Sequence, residues 1–284
     1  MASSKPFQLE VDPDPCPALK LERGPSDEGV GEWVPNMKHT LLAKYIGAAS
    51  ATMNKWQERV FIDPFCGPGR IQVKGEADTR DGGSLVAFRQ ALKMRTSYTK
   101  VFIGDLNAES LAANDARLSA LGAPVRTFAG KAEDTVHRMV RLVPKKALCL
   151  AYIDPYNLSL LNFDMIRALA ALPNIDFAVH FSTMDLARNV EMESDEKRFR
   201  FDEVAPGWKN ELAGVSKSGM RVAFLNYWTK LVCSLGFQFS KEMPLVNNHS
   251  GQEIYRLVFF ARHDLPIRLW SDVAKDKDQR GFDF

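Results

Sequence analysis

Three apolar runs in this chain each stop at an aspartate: VFID ends at Asp63, KVFIGD at Asp105 and CLAYID at Asp154. Around them, SLVAFRQALKM, ESLAANDARLSALG, AEDTVHRMVRLV and FDMIRALAAL carry apolar residues at helical spacing. Strands alternating with amphipathic helices bury their apolar surfaces best as a mostly parallel sheet with helices on both sides. Ligands of such sheets bind beyond the carboxyl ends of the strands, so acids that end successive strands should gather along one edge.

Further on, IDFAVHFS reads as a strand and MRVAFLNYWTKLVCSLG as an apolar helix. The last two apolar runs, QFSKEMPLVN and QEIYRLVFFARH, are joined by a turn around Asn247 to Gly251. The pattern therefore predicts an α/β, doubly wound, Rossmann-like sheet, mostly parallel, with an antiparallel C-terminal hairpin. A helix through KHTLLAKYIGAASATM should lead into the first strand, with Ser84 as the N-cap of the next helix. Between them, IQVKGEADTRDGG reads as an irregular excursion.

At 284 residues the chain suits one core with extensions. Residues 1–32 hold five prolines and a majority of acidic charges, which predicts an extended arm draped over the core. Residues 33–284 form the expected domain, interrupted at about 187–218 by a charged, poorly periodic stretch that reads as an inserted lid or partner-binding segment. No apolar stretch approaches the roughly 20 residues that span a bilayer, and the N-terminus lacks an apolar signal core, so a cytoplasmic protein without membrane contact is expected. Cys16, Cys66, Cys149 and Cys233 are widely spaced, which argues against a metal or iron–sulfur site. A net charge of +2 permits a nucleic acid as partner without indicating one.

The loop after the first strand, DPFCGPG, places Gly67 and Gly69 two apart, so that the backbone can turn tightly and approach a ligand. It lacks the lysine of a P-loop and the third glycine of a dinucleotide fingerprint. Asp105 lies 42 residues beyond Asp63, about twice the fingerprint separation, and the excursion accounts for the difference. At a strand end it can accept hydrogen bonds from both hydroxyls of a ribose. Asp63 in the middle of the site would oppose a pyrophosphate and favour a ligand carrying an amino group and a sulfonium, which selects S-adenosylmethionine over a nicotinamide dinucleotide.

In IDPYN, Asp154 leaves the fourth strand into a stiff turn carrying Tyr156 and Asn157. The carboxylate could orient or deprotonate a nucleophile, and the ring could stack on a planar substrate. Against this stands the plainer reading that Asp63 and Asp154 cap turn amides. His39 and His180 read as structural, Cys66 as a packed thiol, and Arg188, Lys197, Arg198 and Arg200 as parts of a solvated face. A nuclease or hydrolase using Asp63 and Asp154 around a divalent metal ranks last.

Taken together, Trp33 with KHTLLAKYI, then VFIDPFCGPGR, GGSLVAF, YIDPYNL and the segment around Trp270 resemble the three-Cys-motif partner (TcmP) family of bacterial proteins, within the class I S-adenosylmethionine-dependent methyltransferase-like fold. The resemblance implies that Asp63, Phe65, Gly67 and Gly69 match the first cofactor motif, Asp105 the ribose-binding acid, and Ala132 with Glu133 the loop beside the adenine. It likewise implies that Asp154, Pro155 and Tyr156 match a catalytic D-P-P-Y-like position, from which IDPYN departs by having one proline. The implied activity is methyl transfer to a nucleic-acid base or nucleotide. The alternative it implies is a non-catalytic accessory protein docking a three-cysteine, radical-S-adenosylmethionine-like partner through residues 187–218 or the arm.

Overall fold

A computed structural model describes residues 7–195, 197–248 and 251–275. A π-helical lead, Val34–His39, opens the domain and runs into α1 (Thr40–Met53), after which β1 (Arg59–Asp63) begins the sheet. The chain continues through β2 (Arg70–Gln72), β3 (Thr79–Asp81), α2 (Gly83–Lys93), β4 (Lys100–Asp105), α3 (Ala108–Ala120), β5 (Val125–Ala129), α4 (Ala132–Val140) and β6 (Leu148–Ile153). It closes with α5 (Phe163–Ala170), β7 (Ile175–Phe181), α6 (Thr183–Glu193), α7 (Trp208–Glu211), α8 (Met220–Cys233), β8 (Gln238–Phe239), β9 (Leu245–Asn247), β10 (Glu253–Ala261) and α9 (Asp264–Ala274).

The main sheet runs β5-β4-β1-β6-β7-β10-β8, with β9 also paired to β10. The five strands from β5 to β7 are parallel, whereas β10 is antiparallel to β7, β8 and β9. This is the expected mixed α/β sheet, of the methyltransferase-like type, with antiparallel C-terminal strands. Because β1 is followed outward by β4 on one side and β6 on the other, the chain reverses direction across the sheet at β1, which opens a crevice beyond its carboxyl end.

Alternation along β1 divides the core. Val60 and Ile62 face one apolar layer with Phe177, Phe181, Phe224 and Trp228, and Phe61 faces the other with Tyr45, Phe259 and Trp270. Trp270 on α9 stacks on Phe259 at 4.7 Å between ring centroids. Burying a large apolar side chain is worth roughly 1.5–3 kcal/mol, so each such ring is a substantial fraction of the net stability.

Three segments differ from their sequence-based expectations. Ser84 lies within α2 rather than capping it, and its hydroxyl donates to Asn114 Oδ1 at 3.0 Å. The excursion after the glycine loop forms the β2–β3 hairpin, and the arm pairs along it through Glu22 N to Arg70 O and Val30 N to Gln72 O, both at 2.8 Å. Buried Arg70 organises this unit by donating to the Thr79 hydroxyl and to the Thr79 and Asp12 carbonyls and by pairing with Asp81. Finally, the charged stretch 187–218 packs Phe201, Val204, Ala205, Trp208 and Leu212 into the core, with Trp208 edge-on to Phe224 at 5.2 Å. These five positions recur at helical spacing although turns and the single-turn α7 carry them, and the charges lie mostly on the outer side, with Glu193 buried.

Candidate functional site

The loop after β1 is braced from both neighbouring elements. Cys66 N donates to Gly104 O on β4 at 3.0 Å, and Gly67 N donates to Asp105 Oδ2 at 3.0 Å. Asn114 of α3 donates through Nδ2 to the Cys66 and Gly67 carbonyls at 2.8 and 3.1 Å. Gly67 has φ +55°, and a Cβ there would meet no atom within 4 Å, so the backbone at this point borders open space. Gly69 is different: with φ +79°, its Cβ would lie 2.8 Å from the Asn114 and Leu85 side chains. Its role is packing as well as turning. Gly69→Ala should cost roughly 2–3 kcal/mol, from left-handed strain plus displacement of Asn114; a denaturation midpoint unchanged from wild type would refute this.

Asp63 is sealed beneath the loop and its Oδ1 accepts from Phe65 N at 3.1 Å. Burial, and then the charges of Asp154 and Asp105, push its carboxyl well above the usual carboxylate range, with Phe65 N–H and Lys38 acting in the opposite direction. A cation arriving beside it would favour its ionised form. Burial, followed by Asp63 and Asp105, pushes the Cys66 thiol up as well, which removes the thiolate that nucleophilic chemistry needs. Half-buried Asp105 accepts from Asn107 N at 2.7 Å through Oδ1 in addition to Gly67 N, leaving about two of its four lone-pair sites for a ligand.

At the end of β6 the register Ile153↔Val179 sets the next residues, Asp154 and His180, side by side. His180 Nδ1 lies 2.9 Å from Asp154 Oδ1, within ion-pair distance but not aligned as a hydrogen bond. Lys38 Nζ, from the π-helical lead, donates to Asp154 Oδ2 at 2.7 Å, and the Tyr152 hydroxyl approaches the same oxygen at 3.4 Å. Burial alone would raise Asp154, but Lys38 and His180 hold it well below the usual carboxylate range. Burial pushes His180 down, against the pull of Asp154. The Tyr255 ring stands edge-on to His180 at 3.8 Å and lies 5.9 Å from Lys38 Nζ.

Asp63, Phe65, Gly67, Gly69, Asp105, Asp154, Pro155 and Tyr156 therefore line the carboxyl edge of β1, β4 and β6, as the strand-end argument requires. Pro155 is buried while Tyr156 is 74% exposed. Ala132 and Glu133 open α4, where Glu133 pairs with Lys131 at 3.3 Å and accepts from Asn162 Nδ2 at 3.3 Å, contacts directed toward α5 rather than the glycine loop. The sequence argument did not raise Lys38, and it read His180 as structural. A lone lysine at the foot of an apolar helix, and a histidine inside an apolar strand, are the signals that could have raised them. Among the described residues no group of three His, Cys, Asp or Glu side chains is arranged to hold a metal ion.

No protein-family model and no curated protein matches the sequence. Among solved structures, the chain is similar to an rRNA methylase from Streptococcus thermophilus, at 12% identity over 80% of this chain and 94% of that one, with a TM-score of 0.41. It is also similar to a Legionella pneumophila protein, at 9% identity over 81% and 89% with a TM-score of 0.48. A ribosomal protein L11 methylase from Lactobacillus delbrueckii subsp. bulgaricus matches at 14% identity over 80% of each chain, with a TM-score of 0.38. Likenesses this distant carry no activity or substrate across, and the fold assignment rests on the strand order and register described above. No helix among the described residues is long and apolar enough to cross a membrane.

Proposed function

We propose that the chain is an S-adenosylmethionine-dependent methyltransferase acting on a nucleic-acid base or nucleotide. The observation that carries this reading is the pairing of an open backbone at Gly67 with the half-buried carboxylate of Asp105, at the point where the sheet reverses direction. Asp105 would accept from the ribose hydroxyls, and Leu106, 74% exposed beside it, offers an apolar face to the adenine. Gly67 and Gly69 let the loop follow the ligand. Phe65, with Ala132 and Glu133 across the edge, would border it, as the family resemblance implies. Asp63 would answer the cationic end.

When bound, the cofactor supplies a methyl group activated by a sulfonium. The protein's contribution is alignment: Asp154 and its partners fix the acceptor beside the loop, and the exposed Tyr156 ring stacks on a planar base. Calorimetry with S-adenosylhomocysteine is expected to show one site per chain, weakened at least about tenfold by Asp105→Ala, the scale of one lost charge-assisted hydrogen bond. No heat of binding with the wild-type protein would sink the proposal.

The resemblance to the three-Cys-motif partner family supports a second reading, an accessory protein for a three-cysteine, radical-S-adenosylmethionine-like partner. Its supporting observation is the exposed Phe199 and Met192 on the segment 187–218. Co-purification that survives Asp154→Ala but is lost on Phe199→Ser would favour docking. Methyl incorporation abolished by Asp154→Ala would favour catalysis.

A further inference from the structure

We infer that the amino edge of the sheet carries a second binding site, an apolar cavity between α1, α9 and the strands β1, β6 and β7 that takes a small lipophilic ammonium on Asp176. It lies at the opposite end of the strands from the glycine loop, and it stands whether or not that loop holds a cofactor.

Asp176 breaks the pattern of its own strand. Alternation along β7 sets Asp176, Ala178 and His180 on one face, and Ala178 packs into the layer that holds Tyr45, Phe259 and Trp270. The register Leu150↔Asp176 places the acid beside another residue of that layer. A carboxylate at such a position loses its water, and it normally brings a counter-ion with it. Asp176 brings none. Among the described residues its side chain bonds only to the Tyr45 hydroxyl, which donates to Oδ2 at 2.7 Å, and Oδ1 accepts nothing. A second polar atom is left over nearby: the Tyr98 hydroxyl is buried without a hydrogen-bond partner, a rare state for such a group. Burial pushes Asp176 up to about 7, against the Tyr45 hydrogen bond. Burial and then the Asp176 charge raise the Tyr98 hydroxyl, so the two groups share one environment.

The cavity that both groups line leaves about 50 Å³ open to the centre of a water molecule, several times the roughly 10–15 Å³ that one water needs. Its other walls are mostly apolar, Ile46, Met53 and Leu269 among them, and Leu265, 41% exposed, carries the lining to the surface. Asp176 would repel an anion, and a hydrated metal ion would lose water against these walls. An ammonium on a small ring suits both parts, with its body against the walls and its N–H bonds directed to Asp176 Oδ1 and the Tyr98 oxygen. The remaining titratable groups of the lining leave that place open. Arg59 uses its guanidinium on the Ser97 and Trp56 carbonyls, and burial and then the Asp176 charge push the Cys149 thiol up to about 12. Helix α9 brings only Leu265, Pro266 and Leu269.

The test uses the full chain with benzylamine and its neutral counterpart of the same shape, benzyl alcohol. Calorimetry at pH 8 is expected to give benzylamine a Kd of about 1 mM or tighter, within reach of a ligand of this size. Benzyl alcohol should bind at least about tenfold more weakly, the scale of one lost charge-assisted hydrogen bond. At pH 6 benzylamine should weaken about tenfold, because the carboxyl takes up a proton that the ammonium must displace, while benzyl alcohol stays unchanged. Asp176→Asn, which keeps an acceptor for Tyr45, should bring benzylamine down to the level of the alcohol. A wild-type Kd weaker than about 1 mM, equal binding of amine and alcohol, or benzylamine binding unchanged by Asp176→Asn overturns the assignment. Should the variant fail to unfold cooperatively, the wild-type pH comparison decides, and an amine affinity independent of pH overturns it.

Discussion

Asp14→Ala is expected to destabilise the protein by about 3–5 kcal/mol, the cost of stripping the partner from a buried charge. The charge is Arg117 on α3, whose side chain is fully buried. Its Nε and Nη2 donate to the two oxygens of Asp14, each at 2.9 Å, in the fork geometry that suits a guanidinium. Its remaining donors reach carbonyls of the arm, Lys20 at 2.8 Å and Cys16 and Leu19 at 3.2 Å, and the carbonyl of Pro68 at 2.7 Å in the glycine loop. One side chain thus ties the N-terminal arm to the loop that would hold the cofactor. Chemical denaturation measures the loss directly, and a drop under about 1 kcal/mol would show that the pair is incidental. The double variant Asp14→Ala, Arg117→Met should be more stable than Asp14→Ala alone, because an apolar side chain of similar length removes the stranded charge. Affinity for S-adenosylhomocysteine should fall in the double variant, in which the Pro68 carbonyl loses its Arg117 donor.

Acid is expected to remove about as much stability through one histidine. His39, the last residue of the π-helical lead, is buried, with its Nδ1 lacking a hydrogen-bond partner. Burial, and then the charge of Lys38, push it from 6.5 down to about 3, with Asp154 and the Asp81 backbone pulling upward and His180 pulling down. The folded protein therefore keeps His39 neutral where the unfolded chain protonates it. The contribution of His39 is complete above pH 6.5 and is lost as the pH falls toward 3, because the unfolded state binds the extra proton. At about 1.36 kcal/mol per pH unit, the loss approaches 5 kcal/mol at the lower end, comparable with the whole stability of many domains. Asp154, also depressed, adds a loss of the same sign at lower pH. Denaturation of wild type and His39→Gln between pH 7.5 and 4 separates the contributions. The variant cannot take up the proton, so its curve should be flatter; parallel curves would contradict the assignment.

Much of the site was readable from the chain because strand ends are local events. An apolar run stopping at an acid identified Asp63, Asp105 and Asp154 without knowledge of their neighbours, and the sheet rule then placed them on one edge. The arm was readable for a similar reason, its prolines and acids excluding it from a core of its own. Its attachment was not: the partners of Asp14 and Glu22 lie at Arg117 and Arg70, far along the sequence. The charged stretch 187–218 concealed Phe201, Trp208 and Leu212 among acids and bases: their spacing is helical, but Pro206 and Gly207 interrupt the run and the surrounding charges mask it.

The sequence by itself determined the alternating sheet, the acid-ended strands and the glycine turn, because these follow from side-chain period and backbone sterics within a few residues. Only the tertiary structure decided what Asp154 can do. Its partners arrive from the helical lead before β1 and from the neighbouring strand β7, and the pairing of Lys38 and His180 with one carboxylate is a matter of strand order and register. No linear spacing encodes those. The fold thereby puts a lysine ammonium where the chain alone suggested a free acid.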